Sequence, residues 1–156
     1  MNTPFTLGTD LVATSRFIEW LDYSHDKLRS LFTEAECHEF KRRKQELNQS
    51  KIPSQRKDEL LCGYLASRFA AKEAFYKAFS WWLQQHGLTK HSFQLKTIAP
   101  LVGVEKTGPW QLPCLVIEKD KVEKIVGEKV PHYQSMLSFS HEQTMANAQV
   151  ILVAGD

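Results

Sequence analysis

The sequence predicts an α+β domain in which helices pack on one face of a largely antiparallel sheet. The observations behind this prediction are a strand pattern at the start of the chain, helical spacing through the middle, and several strand patterns near the end. The chain has 156 residues, of which 42% are hydrophobic and 24% are charged. This size and composition suit one core, so we expect a single domain over residues 1–156.

The first predicted element is a strand over residues 5–12. Its side chains alternate with period two, which places Gly8 and Asp10 on one face of the strand. After it, apolar residues at helical spacing predict a short helix over residues 15–23. The domain therefore begins with a strand that leads into helices.

The second predicted helix begins at a capping signal. Thr33 and, three residues later, Glu36 form a capping box, in which each residue satisfies a backbone N–H that the helix start leaves free. The polar stretch 41–57, which Pro53 interrupts, has few apolar residues that could pack. It predicts the end of this helix and then an exposed loop.

A longer helix follows, and then the pattern changes. Residues 65–77 have helical spacing that continues to Leu83, and Gly87 supplies a stop signal. Beyond it the sequence predicts strands, one short helix and a turn. The strands are 93–98, 114–117, 135–140 and 146–154, the helix is 120–130, and the turn 141–143 joins the last two strands.

Composition and charge exclude several classes of protein. The three cysteines, Cys37, Cys62 and Cys114, are widely spaced, which argues against a disulfide framework and against a zinc site. The start of the sequence lacks a secretory pattern, and no apolar run approaches the roughly 20 residues that span a bilayer. We therefore expect a cytoplasmic protein without a membrane span. A net charge of +2 is too small to indicate nucleic-acid binding by itself.

The helix over residues 65–77 carries charged residues inside its apolar pattern. Leu65, Phe69, Glu73 and Lys77 are spaced four apart and share one face. One explanation is an ion pair between Glu73 and Lys77, which would contribute only about 0.2–0.5 kcal/mol on a helix surface. The other explanation is that Glu73 is an oxygen ligand for Mg²⁺ at the edge of a cleft, with Lys77 one turn on to bind an anion.

The metal hypothesis requires a second carboxylate. Asp10 is the best candidate, because Gly8 on the same strand face removes a side chain where a ligand could approach. Spacing alone leaves both explanations of Glu73 open.

Three sequence blocks resemble the phosphopantetheinyl transferases of the holo-acyl-carrier-protein synthase type. The blocks are G-T-D-L-V at residues 8–12 with Arg16 downstream, R-F-A-A-K-E-A-F-x-K-A at residues 68–78, and S-F-S-H at residues 138–141 followed by A-x-A-Q-V-x-L at residues 146–152. F-T-x-x-E at residues 32–36 is a weaker fourth match. Their order and approximate spacing are kept along nearly the whole chain, so the sequence is identified as a divergent member of this family.

The resemblance implies a 4'-phosphopantetheinyl transferase fold and its reaction. In that reaction the 4'-phosphopantetheine arm of coenzyme A passes to a serine of an acyl or peptidyl carrier protein, and 3',5'-ADP is released. The family motif implies that Asp10 and Glu73 bind Mg²⁺ and that, together with Lys77, they form the catalytic group. It also implies contacts to coenzyme A, the donor substrate, from several polar side chains. These are Arg68, Lys72, Lys77, Ser138 and His141.

The resemblance also implies partners. Active sites of this family lie between protomers, so the expected assembly is a homotrimer. Carrier proteins of this kind are acidic, and Arg16, which matches the family motif, is the expected carrier contact. Other cations close in sequence are Lys27, Arg29 and the run 41–44.

The sequence departs from the family pattern at several positions. The family's glutamate three residues after the aspartate is Ala13 here, which removes a third carboxylate near the metal. Its Gly-Thr-Gly after the central helix is Ser-Trp-Trp at residues 80–82, so the pocket wall must differ or the helix must run on. Gly-Lys-Pro becomes Gln-Leu-Pro at residues 111–113, and the histidine that often opens the third block is Met136. The region 41–57 is longer than usual.

Two other functions remain open on the sequence. A family member that has lost turnover could bind coenzyme A or a carrier protein as a scaffold. A nucleic-acid module could use the cations of the run 41–44, although such runs are more often a solvated helix face. If the chain is an enzyme, the general base is either His38 or a metal-bound water.

Overall fold

The structure, a computed structural model, describes residues 5–88 and 93–155. The predicted span 1–156 therefore includes residues that lie outside the described ones. The strands are β1 (Phe5–Ala13), β2 (Val102–Thr107), β3 (Leu112–Ile117), β4 (Tyr133–His141) and β5 (Met145–Ala154). The helices are α1 (His25–Arg29), α2 (Glu34–Gln49), α3 (Ser54–Gln85), α4 (Leu95–Ile98) and α5 (Lys119–Val126).

Two antiparallel sheets form the β part of the molecule. The larger sheet has the strand order β1-β5-β4, and the smaller one is the hairpin of β2 and β3. In the larger sheet Asp10 pairs with Ala148, and Ala148 pairs on its other side with Phe139. Because α3 packs against β1, β5 and β4, the long helix lies across one face of this sheet. The predicted α+β class is confirmed.

Small residues bring α3 close to the sheet. The inward side chains of β5 include Ala146 and Ala148, and the facing stripe of α3 includes Ala70 and Ala74, all fully buried. At Gly8 the approach is closest, since a Cβ placed there would lie 1.9 Å from the carbonyl oxygen of Ala74. Gly8 therefore fixes β1 against the helix. This differs from the predicted reason for Gly8, which was room for a ligand.

The outer face of the larger sheet carries exposed apolar side chains among polar ones such as Thr9, Ser138 and Gln149. On β1 the outward side chains Phe5, Leu7 and Leu11 are 63%, 51% and 62% exposed. On β4, Met136 lies in the same row as Leu7 and is 55% exposed. The sheet therefore has one face covered by α3 and an outer face with several exposed apolar side chains.

The stretch 41–57 contains the predicted end of a helix, but the loop that follows it is much shorter than predicted. Helix α2 continues to Gln49, and α3 already begins at Ser54. Ion pairs one turn apart stabilise the polar helix, with Arg42 and Arg43 both bonded to Glu39. Lys, Arg, Gln and Glu also have good intrinsic helix propensity, so few apolar side chains are needed.

Other element predictions hold in part. The helix predicted over 15–23 is a pair of short 3₁₀ turns, and the strand predicted over 93–98 is wrong because α4 lies there. In that segment Leu95 and Ile98 are one helical turn apart. A pattern of only six residues could not distinguish a helix from a strand. Strand β2 was not predicted. The capping box of Thr33 and Glu36, the end of α3 near Gly87, the helix within 120–130 and the last two strands are confirmed.

The described residues contain no helix long and apolar enough to cross a membrane. Cys37, Cys62 and Cys114 are free thiols.

Candidate active site

Two carboxylates and an ammonium group meet where β1 crosses α3. The Nζ atom of Lys77 donates to Oδ1 of Asp10 at 3.0 Å and to the carbonyl oxygen of Thr9 at 3.0 Å. Oε1 of Glu73 lies 3.9 Å from the same Nζ atom. Lys77 is therefore bound mainly to Asp10, across the helix–strand contact, rather than to Glu73 along the helix. The structure thus brings together the three predicted catalytic residues.

This group has the properties of a site for a hard divalent cation. The Asp10 side chain is only 9% exposed, and its Oδ2 atom is buried without a hydrogen-bond partner. Burial raises the pKa of Glu73, and the neighbouring charge of Asp10 raises it further, while Lys77 and Arg16 act in the opposite direction. A buried acceptor without a donor and two crowded carboxylates are both stabilised by a bound cation. The residues present therefore fit Mg²⁺.

Arg16 lies at the rim of this group. Its side chain is exposed, and the guanidinium carbon lies 5.2 Å from the centre of the Phe69 ring. Phe69 is one turn before Glu73 on α3. Arg16 is thus free to meet a partner close to the carboxylates, as a carrier contact requires.

A second polar region lies near β4. A cavity of about 460 Å³ is lined by basic side chains together with Glu46, Ser50 and several apolar and aromatic side chains. The cations are Arg43, Arg68 and Lys106, and the imidazole of His141 lies beside them. Such a concentration of positive charge in a concave surface favours an anionic ligand. Arg43 and Lys106 were not predicted as coenzyme A contacts, because they come to the cavity from α2 and from the β2–β3 hairpin.

Arg68 is the most buried cation of this cavity. Its residue is 9% exposed, and its guanidinium lies 3.9 Å from the centre of the Tyr64 ring. One nitrogen donates to Ser67 at 3.0 Å, whereas Nε is buried without a partner. Burial lowers the pKa of Arg68, and burial together with the charges of Arg68 and Arg43 lowers the pKa of His141. Each of these effects would be relieved by an anion in the cavity.

Lys72 does not reach either region, which corrects its prediction as a coenzyme A contact. Its side chain is fully buried, with Nζ 2.8 Å from Oε2 of Glu36. The same Nζ donates to the carbonyl oxygens of Ala99 and Val102. Glu36 in turn accepts from the backbone N–H groups of Thr33 and Val104. Lys72 and Glu36 therefore tie α2, α3 and β2 together inside the core.

Ser138 lies on the other side of the sheet from His141. Phe139 and His141 pair with the inward residues Ala148 and Ala146, so the side chains alternate and Ser138 points outward. Within one chain, the structure does not bring Ser138 to the cationic cavity.

The carboxylate group and the cationic cavity lie at opposite edges of the sheet. Asp10 is on β1, whereas Phe139, which packs beside Arg68, is on β4. Two strand spacings separate Asp10 from Phe139, a distance of about 10 Å. Helix α3 packs mainly on β1 and β5 and less on β4, and it contributes Glu73 to one region and Arg68 to the other. One chain therefore presents two separate polar regions.

Two predicted alternatives are placed elsewhere. His38 lies 3.0 Å from Glu34 on α2, in a cluster apart from Asp10 and Glu73. In the run 41–44, Arg42 and Arg43 are paired with glutamates, and Lys44 binds the Leu21 carbonyl. Arg42 and Lys44 therefore belong to a polar helix surface away from the cavity, whereas Arg43 also lines the cationic cavity.

The segment that replaces Gly-Thr-Gly continues the helix. Trp82 is fully buried, and its indole N–H donates to the carbonyl oxygen of Pro131 at 3.3 Å. Trp81 is 58% exposed. The expectation that α3 continues through this segment is confirmed.

The sequence matches a known family over most of its length. The model of the 4'-phosphopantetheinyl transferase superfamily matches residues 6–112. The chain belongs to this superfamily. The matched range includes β1 and all of α3, and therefore Asp10, Glu73, Lys77 and Arg68. No curated protein matches the sequence of this transferase.

Solved structures with the same fold are holo-acyl-carrier-protein synthases. The transferase is similar to an ACPS–CoA complex from Chronobacterium ammoniagenes (23% identity, TM-score 0.67, 98% of this chain and 99% of that chain). It is also similar to a holo-(acyl-carrier-protein) synthase from Bacillus anthracis in complex with CoA (3',5'-ADP). That match has 22% sequence identity and a TM-score of 0.60, and it covers 96% of this chain and 96% of that chain. A holo-ACP-synthase from Plasmodium yoelii matches at 18% identity and TM-score 0.62 over 100% of both chains. The predicted fold is confirmed.

Proposed function

We propose that this transferase moves the 4'-phosphopantetheine arm of coenzyme A to a serine of an apo acyl or peptidyl carrier protein, in a Mg²⁺-dependent reaction. The serine oxygen attacks the phosphorus that carries the pantetheine arm. The bond from that phosphorus to 3',5'-ADP breaks, and the serine proton passes to a base. The observation that supports this proposal most directly is the buried, partnerless Oδ2 of Asp10 beside Glu73 and Lys77. We propose one such domain over residues 1–156.

Each residue of the carboxylate group has a defined part in this reaction. Asp10 and Glu73 would hold Mg²⁺, which when bound offsets the negative charge that develops on the pyrophosphate. Lys77 is already oriented by Asp10 and the Thr9 carbonyl. Its ammonium has three N–H donors, so one remains for a phosphate oxygen.

The cationic cavity supplies the binding site for the other phosphate groups of coenzyme A. Arg68 has a buried N–H without a partner, and His141, Arg43 and Lys106 line the same cavity. A phosphate there would accept charge-assisted hydrogen bonds that the unliganded protein leaves unmade.

We propose a homotrimer on two observations: the separation of the two polar regions and the exposed apolar side chains on the outer face of the sheet. The carboxylates and the cationic cavity lie on opposite edges of the sheet, and the apolar outer face with Leu7, Leu11 and Met136 is uncovered. Cyclic association would cover that face and bring one chain's carboxylates to the next chain's cavity. Ser138, on the same outer face, would then lie near the subunit contact.

Light scattering tests the assembly. We expect a mass three times the 18.0 kDa of the chain, and a smaller mass for Leu11→Glu. Trp81→Glu is the matched control, because Trp81 is similarly exposed at 58% but lies on α3. A monomer at concentrations that support activity would contradict the trimer.

Transfer itself is tested with coenzyme A, Mg²⁺ and a panel of apo carrier proteins, read as a mass increase on the carrier. Asp10→Asn and Glu73→Gln should each lower the rate by about 10²–10³-fold, with unchanged circular dichroism. The control Asp120→Asn alters an exposed carboxylate on α5. Binding of coenzyme A without transfer to any carrier would favour the scaffold function instead.

The acidic partner is tested by kinetics with each substrate varied in turn. Arg16→Glu should raise the apparent KM for the carrier and leave that for coenzyme A nearly unchanged, and added salt should have the same effect. Lys129→Glu is the matched control, because it makes the same charge change at an exposed position after α5. An unchanged carrier KM in Arg16→Glu, with salt-independent rates, would contradict this contact.

We also propose a cytoplasmic location, since three free thiols suit a reducing compartment.

A further inference from the structure

A cluster of metal-binding side chains lies away from the carboxylates of the proposed reaction. His25, at the start of α1, and Glu34 and His38, on the first turns of α2, direct ligand atoms at one point. The Nε2 atoms of His25 and His38 lie 2.9 Å and 3.0 Å from the same oxygen, Oε1 of Glu34. All the ligand atoms lie within 4.8 Å of one another.

We propose that His25, Glu34 and His38 bind a late first-row divalent metal ion, with Zn²⁺ as the preferred ion. Two imidazoles and a carboxylate are a known zinc ligand set that leaves a position open for water or another ligand. Imidazole nitrogen also suits Co²⁺, Ni²⁺ and Cu²⁺, whereas Mg²⁺ prefers oxygen ligands in an octahedron. This site is therefore chemically distinct from the one formed by Asp10 and Glu73.

Two of the three spacings between ligand atoms are close to what a tetrahedral ion requires, and the third, between the two histidine nitrogens, is within 4.8 Å. Ligands about 2.0–2.2 Å from Zn²⁺ at the tetrahedral angle lie roughly 3.4 Å apart. The observed nitrogen–oxygen distances of 2.9 Å and 3.0 Å need to increase by only about 0.4–0.5 Å. His25, Glu34 and His38 are 39%, 49% and 70% exposed, so rotation of the side chains can make this adjustment.

The surrounding structure holds these ligands in position. The capping box of Thr33 and Glu36 fixes the first turn of α2, so Glu34 and His38 are presented one turn apart on a regular helix. Nε of Arg29 donates to Oε2 of Glu34 at 2.8 Å, which leaves Oε1 as the ligand atom. A hydrogen bond of this kind to a ligating carboxylate is a common feature of metal sites.

The site lies at the rim of a cavity of about 760 Å³ between the α1 segment and α2. Because His25 comes from α1 and the other ligands from α2, a bound ion would join these two helices. It would also keep an open coordination position toward the cavity.

Metal titration of the purified 156-residue chain tests the proposal. The protein is stripped with a chelator and titrated with Co²⁺ in excess Mg²⁺, which occupies the carboxylate site. We expect visible absorption bands that saturate at one equivalent per chain and that Zn²⁺ abolishes by displacement. His25→Ala and His38→Ala should each weaken Co²⁺ binding at least tenfold, and Glu34→Gln should weaken it too. His86→Ala, at the end of α3, should leave binding unchanged.

The opposite outcomes overturn the proposal. Equal Co²⁺ affinity in the wild type and His38→Ala would show that the ion binds elsewhere, as would complete loss of binding in excess Mg²⁺. The imidazole resonances of His25 and His38 provide a second measurement. They should shift on addition of Zn²⁺ while the His86 resonance stays fixed, and unchanged His25 and His38 resonances would exclude the site.

Discussion

Substitution of Gly8 by alanine should damage both stability and activity, because β1 and α3 touch at this position. A Cβ at Gly8 would lie 1.9 Å from the Ala74 carbonyl oxygen and 2.7 Å from the Ala78 nitrogen. Both are helix backbone atoms that cannot rotate away. Ordinary contact begins near 3.4 Å, so β1 must move away from α3 by about 1.5 Å.

This displacement sets the expected magnitudes. Overpacking costs about 1–3 kcal/mol and occasionally more, and a clash with backbone should place Gly8→Ala at about 3 kcal/mol or above. Asp10 lies two residues further along β1, so the shift also separates its carboxylate from Glu73 and Lys77. A misplacement of about 1 Å in a catalytic group can lower the rate about 10²-fold.

Urea unfolding and the transfer rate at saturating coenzyme A measure the two effects. Gly103→Ala is the control, because its Cβ would meet the side chain of Thr33 at 3.3 Å, where a small adjustment suffices. We expect it to lose less than about 1 kcal/mol. A Gly8→Ala protein as stable and as active as Gly103→Ala would refute the reasoning.

Further substitutions test the charged groups. Lys72→Met should lower the free energy of unfolding by about 3–5 kcal/mol, because it leaves Glu36 buried without its partner. Denaturant unfolding measures this change, and adding Glu36→Gln should restore part of the lost stability. An unchanged free energy of unfolding in Lys72→Met would contradict the buried pair. Arg68→Met should weaken coenzyme A binding about 10–150-fold, as measured by calorimetry. It should not destabilise the unliganded protein, since burial already disfavours this cation. Arg42→Met is the surface control, and equal coenzyme A affinities of Arg68→Met and the wild type would exclude the contact. Because the native pKa of Glu73 is raised, its ionisation above that pKa lowers stability. Glu73→Gln should therefore raise the melting temperature at pH 7 relative to wild type. This difference in melting temperature should disappear as the pH falls below the usual glutamate pKa near 4.5. A difference that does not depend on pH would contradict the raised pKa of Glu73 as its cause.

The sequence predicted that Asp10, Glu73 and Lys77 lie together, but it did not predict the contacts that hold them. Periodicity of two in β1 and of four in α3 placed Asp10 and Glu73 each on an inward face, and the family motif paired them. The contact between Lys77 and Asp10 depends on how β1 crosses α3, which Gly8 and the alanines of the helix determine. Two residues 67 apart in sequence carry no local pattern that reveals such a contact.

Lys72 shows the limit of reasoning from a motif. It lies between Arg68 and Glu73 in the matched block, and spacing alone did not distinguish a ligand contact from a core residue. Its role depends on Glu36, which belongs to α2, and on the β2 segment, where Val102 and Val104 lie. The strand β2 itself was not predicted, so neither was the pocket that buries the lysine.

The outcome for residues 41–57 has a different cause. Low apolar content indicated a loop, but helix stability there comes from ion pairs between neighbouring turns, such as Arg43 with Glu39. These pairs are local and could have been found by testing charged residues for spacing of three and four.

The alternation of side chains along β1 also restricts how this protein can change in evolution. Gly8 and Asp10 face α3, whereas Leu7 and Leu11 face outward. Insertion or deletion of a single residue within the strand would exchange the two faces, turning a carboxylate toward the apolar surface and a leucine toward the helix. A lineage that keeps both surfaces must therefore keep the length of β1 constant.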